Sequence, residues 1–119
     1  MGWDAYAKPK PSGEKQLKDF KAIKKSVLKH APYYDGGLDS YYLDLSDTAQ
    51  ALHEMTGWSV YDEYGWTPDR VKGAWEHAKL FGTPPREDGF DTTDACAYWS
   101  AWFFLKACAE NNLGIEFSY

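Results

Sequence analysis

The segment from Thr93 to Asn112 constrains this chain more than any other. Cys96, Tyr98, Trp99, Trp102, Phe103, Phe104, Leu105 and Cys108 place apolar side chains on nearly every face of one helix. A helix that is apolar all round belongs at the centre of a domain or in a bilayer. The bilayer does not fit: the most apolar window, Ala95 to Leu105, is well short of the roughly 20 residues a span needs, and Asp94 and Lys106 flank it. The remaining chain is therefore expected to wrap this helix. Asp91, Thr92 and Thr93 supply its start and Gly114 its end.

The flanking elements follow from periodicity. Trp3 to Ala7 alternates like a short strand, ended by Pro9 and Pro11. Ser12 is the expected N-cap of a helix whose apolar residues, Leu17, Phe20, Ile23, Val27, Leu28 and Ala31, recur every three or four positions; Pro32 stops it. Asp35-Gly36-Gly37 is a turn, and Leu38 to Leu45 is equally compatible with an extended stretch and a helical turn. Ser46 opens a short helix through Ala49, Leu52 and Met55 that Gly57 closes, and Trp58 to Trp66 reads as loop with local structure. Thr67-Pro68-Asp69 is the clearest helix start in the chain, with Val71, Trp75, Ala78 and Leu80 on the inner face and Gly82 and Pro84-Pro85 beyond its end. Ile115 to Tyr119 alternates again, so the two terminal segments are expected to pair as a small ribbon. The expectation is a mainly α (α+β) fold in a single domain over 1–119: about four helices around a central, aromatic C-terminal helix, with that ribbon at one side.

Composition sharpens the class. Six Trp, nine Tyr and six Phe are more rings than a domain of 119 residues easily hides, so a binding surface that uses some of them is expected. Cys96 and Cys108 sit twelve residues apart in one helix, roughly 18 Å along its axis. A disulfide needs Cα atoms within about 7 Å, so reduced thiols and a cytoplasmic location are expected. No apolar leader follows the Met1 start. Charge is segregated: residues 8–30 hold eight Lys against Glu14 and Asp19, a balance of +6, while the remainder stands at −11 within a net −5. That split suits either a basic helix lying on an acidic body or two surfaces for two partners.

Motifs for chemistry are sparse. His53-Glu54 and Glu76-His77 lie on two separate helices and could form a small His/Glu enzyme site, with or without a metal, if those helices converged. The spacing matches no metal motif, and solvated helix residues are the better reading, so neither a cofactor nor a metal is expected. His30 suits the negative end of its helix. There is no nucleophile elbow and no phosphate loop. Acidic groups interleave with tyrosines around Tyr33, Tyr34, Tyr41, Tyr42, Trp58, Tyr61, Asp62, Glu63, Tyr64 and Trp66, and these ten residues are the candidate binding surface for a protein partner. Lys18, Lys21, Lys25 and Lys29 could instead touch a phosphate backbone, although without arginine or interleaved aromatics, and with a pI near 5.1, a dedicated nucleic-acid binder is not expected.

The opening Met1-Gly2-Trp3-Asp4-Ala5-Tyr6-Ala7, the Gly36-Gly37-Leu38-Asp39 turn and the ending Leu113-Gly114-Ile115-Glu116-Phe117-Ser118-Tyr119 resemble small uncharacterised proteins of tailed bacteriophages and prophages. The resemblance covers about a third of the chain and brings no catalytic residue with it. It implies a small accessory protein made in a bacterial cytoplasm; whether the terminal strands pair within or between chains leaves monomer and homodimer both open. Such a protein would bind a host or phage protein and block it, for instance a defence nuclease.

Overall fold

The computed structural model describes residues 4–9, 12–30, 42–44, 46–58, 65–82, 84, 86 and 93–118. The elements run β1 (Asp4–Lys8), α1 (Glu14–His30), β2 (Tyr42–Asp44), α2 (Ser46–Thr56), β3 (Gly65–Trp66), α3 (Pro68–Phe81), α4 (Thr93–Glu110) and β4 (Gly114–Ser118). The mainly α (α+β) architecture is the one the sequence leads to, and α4 packs against each of the other three helices. No helix among the described residues is long and apolar enough to cross a membrane.

The expected ribbon is present and larger than expected. β1 and β4 pair antiparallel, Asp4 opposite Ser118 and Lys8 opposite Gly114. β2 adds to the free edge of β1 and β3 to that of β4, giving the antiparallel order β2-β1-β4-β3. Alternation decides the faces: Ala7, Ile115 and Phe117 are buried towards the helices, while Lys8 and Glu116 point out and form an ion pair at 2.8 Å. Two glycines let the strands close. A Cβ on Gly65 would stand 2.6 Å from the Ile115 carbonyl oxygen, and one on Gly114 would stand 2.5 Å from that of Trp66. Gly114 thus serves the sheet and does not end α4. The helix ends at Asn112, which takes φ +56. Asn112 N–H donates to the Ala109 carbonyl and Leu113 N–H to that of Cys108, the pair of bonds that closes a helix on a left-handed residue.

The other helix starts refine the sequence reading in the same way. Thr67 caps α3, its Oγ1 accepting from Arg70 N–H at 3.3 Å with Pro68 in the first turn, as expected. For α1 the first intrahelical bond goes from Leu17 N–H to the Gly13 carbonyl, so Gly13 is the cap. Ser12 stands one residue outside and donates its N–H to Gln16 Oε1. Gly57, at φ +74, closes α2 as expected. Its N–H donates to the His53 carbonyl.

The core lies where α4 meets the other helices and the inner sheet face. Phe20 of α1 meets Phe104 of α4 edge to face at 5.6 Å, and Leu52, Val71, Leu105 and Ile115 are fully enclosed around them. On α3 the buried stripe is Val71, Ala74, Trp75 and Ala78. Leu80 was expected on that stripe. At about 100° per residue it stands some 200° from Ala78, and it is 86% exposed.

Candidate binding surface

Of the ten residues expected at a binding surface, Tyr33, Tyr34, Tyr41, Tyr61, Asp62, Glu63 and Tyr64 lie outside the described residues. Tyr42 lies in β2, opposite Tyr6. Trp66 is overturned as a surface residue: it is 3% exposed, on the inner sheet face, edge-on to Phe117 at 5.1 Å. The alternation that puts Ile115 inside puts its register partner Trp66 inside as well. Trp58 is half-buried and acts as a peg between α2 and α3. Its backbone N–H donates to Thr56 Oγ1, and His53 Nδ1–H donates to its carbonyl at 3.2 Å. The ring stands perpendicular to Trp66 at 5.7 Å, lies against Gly73, and has the Arg70 guanidinium 4.8 Å from its centroid.

Both histidines lie beside Trp58, one at its backbone and one at its ring. His53 is committed to the Trp58 carbonyl, and the His77 ring lies 6.3 Å from the Trp58 ring. Glu76 pairs with Lys79 at 2.9 Å. Among the described residues no three His, Cys, Asp or Glu come together as metal ligands. Cys108 is fully enclosed, and burial pushes its thiol well above the ordinary range, so little thiolate is available for attack.

Among the described residues, apolar surface is left open at α4 and the end of α3. α4 is buried along Trp99, Phe104, Leu105 and Cys108, but Tyr98, Trp102, Phe103 and Lys106 form a half-exposed strip between its contacts to α3 and to α1. Ring contacts run along its middle. Trp75 of α3 meets Trp102 edge to face at 4.7 Å, Trp102 meets Phe103 at 4.9 Å, and Phe103 meets Trp99 at 4.4 Å. Lys106 Nζ stands 5.8 Å from both the Trp102 and Phe103 rings. The indole N–H of Trp102 is buried without a hydrogen-bond acceptor, and its edge-to-face packing on Trp75 is the setting in which a π face can stand in for one.

At its N-terminal end the strip runs onto the last turn of α3. Tyr98 packs on Phe81 at 5.9 Å and donates its hydroxyl to the Gly82 carbonyl at 3.3 Å, and burial raises its phenol above the ordinary value. Phe81 is 53% exposed and Leu80 more so. At the other end the strip borders a groove of about 320 Å³ between α1 and α4, floored by Ile23, Trp99 and Phe103 and edged by Asp19, Lys106 and Glu110. A second hollow, of about 640 Å³, follows β3 and β4 beside Pro9 and is lined largely by backbone and by residues of the sheet. The strip was not found from sequence because α4 is apolar on all sides, which hides the face that is open. The clue was Leu80, two residues off the buried stripe of its own helix.

The chain matches no protein family, no curated protein and no solved structure.

Proposed function

We propose that this chain is a non-enzymatic binding protein that docks a protein partner on the strip formed by Leu80, Phe81, Tyr98, Trp102 and Phe103. The observation that supports this reading is the exposure of Leu80 and Phe81 at the end of a half-open aromatic ladder. Contiguous apolar surface of this kind marks interaction sites on small proteins. Aromatic residues are also enriched at the buried centres of interfaces, where they contribute most of the binding energy. Lys79 and Lys106, each 5.8 Å from a ring of the ladder, would form part of a polar rim. The phage-like ends of the chain support placing the partner in a bacterial host, with occlusion of a host enzyme such as a defence nuclease as the mode of action.

The test uses the double variant Leu80→Ser, Phe81→Ser. Both side chains are largely solvent-exposed, so its thermal midpoint should stay within about 3 °C of the parent. A protein recovered in stoichiometric amount by the tagged parent from nuclease-treated bacterial lysate should be lost with the variant. Retention of that protein by a folded variant would place the interface elsewhere, and unfolding of the variant would return both residues to a structural role.

A further inference from the structure

The exposed face of α1 is rich in lysine and is separate from the aromatic strip, with Glu14 at its N-terminal end sharing the side that carries Lys18, Lys21 and Lys25. Phe20 and Ile23 bury the inner side of the helix, while Lys18, Lys21 and Lys25 are exposed. Their spacing of three and four residues sets them on one side, about a helical turn apart, or roughly 5 Å of rise at each step. Lys15 is engaged: its ammonium pairs with Asp19 at 3.0 Å and reaches Asn111 Oδ1 at 3.4 Å. None of Lys18, Lys21 and Lys25 has an ion-pair partner among the described residues.

We infer that this face is an electrostatic seat for the phosphate backbone of a nucleic acid, bound without regard to sequence. Three considerations select that occupant. Lysine is depleted in the centres of protein interfaces, so a lysine row is a poor protein-docking centre. An amphipathic helix that lies on a membrane must turn several large apolar residues to the lipid, whereas Phe20 and Ile23 are committed to the core and Leu17, 37% exposed, is a single apolar residue beside the lysines. A row of flexible ammonium groups acts as a set of point charges, which suits a polyanion of regular spacing and contains no group placed to read base edges.

The experiment is fluorescence anisotropy of a labelled 20-base-pair duplex of arbitrary sequence, titrated with the full chain from about 20 to 200 mM salt. Three phosphate contacts predict a slope of log K against log salt between about −2 and −3. A second duplex of unrelated sequence should bind equally well. The triple variant Lys18→Gln, Lys21→Gln, Lys25→Gln should keep the parent's thermal midpoint and lose at least tenfold in affinity at the lowest salt. Absence of binding by the parent at 20 mM salt would overturn the inference, as would undiminished binding by a folded triple variant. Equal affinity for poly-glutamate or for phosphatidylglycerol vesicles would show that the face does not select a phosphate strand.

Discussion

Trp66 joins the sheet to the helices, because its ring touches Phe117 on β4 and Trp58 at the end of α2 from a strand only two residues long. Replacing it with alanine should cost about 3–5 kcal/mol in urea unfolding, the usual range for an enclosed large ring; a loss below about 1 kcal/mol would show that the ring is dispensable. Asp19 makes a contribution of a different kind. Burial works to raise its carboxyl, but hydrogen bonds from Asn111 and Lys15 and the charges of Lys15 and Lys18 outweigh that, so it titrates below the ordinary value. A carboxyl with a depressed folded pKa stabilises the protein fully above about pH 4 and stops doing so as pH falls through the folded value. The gap in thermal midpoint between the parent and Asp19→Asn should thus be constant from pH 7 to 5 and close towards pH 2; a gap independent of pH would remove Asp19 from the acid response. Cys108 should resist alkylation in the native protein and react once denatured, as read by mass spectrometry of the peptide that contains it.

At the level of elements, the sequence speaks clearly wherever a side chain and the backbone agree. Thr67-Pro68 sets the start of α3, Pro32 lies two residues beyond the end of α1, and the apolar α4 emerges as the central helix. It speaks faintly where geometry comes from a distant partner. β3 is two residues, Gly65 and Trp66, and exists because β4 offers it an edge, while β2 owes its extended form to β1. No local pattern encodes either. The end of α4 shows the same limit. Gly114 looks like the closing glycine, but the left-handed position falls on Asn112 and the glycine is reserved for a strand contact. Asn112→Gly should therefore be neutral or stabilising by up to about 1 kcal/mol, since glycine is the residue best suited to that conformation. Gly114→Ala should instead destabilise, because its methyl would meet the Trp66 carbonyl. The reverse order of the two variants in chemical denaturation would overturn this assignment.

Across the whole molecule, the surplus of aromatic residues implies that some rings stay near the surface, and Trp66, one of the residues expected there, is not among them. Trp66 lies in the core, Trp58 pegs two helices together, and among the described residues open rings are found on α4 and the last turn of α3. Aromatic content can be counted in a sequence, whereas the face left uncovered depends on how α1 and α3 straddle α4. The charge split was legible because it is a property of position along the chain, and the fold keeps Lys18, Lys21 and Lys25 on the outside.

The order β2-β1-β4-β3 also bears on how the molecule reaches its native state. Its two inner strands come from opposite ends of the described chain, so the sheet is closed by contacts of nearly the greatest sequence separation available. Such contacts lose loop entropy before they return any stability and slow folding relative to a purely helical bundle. On the ribosome, β3 has no neighbour and β1 only β2 until the residues of β4 emerge. The apolar side of Trp66 therefore waits, during synthesis, for the last strand to supply Phe117.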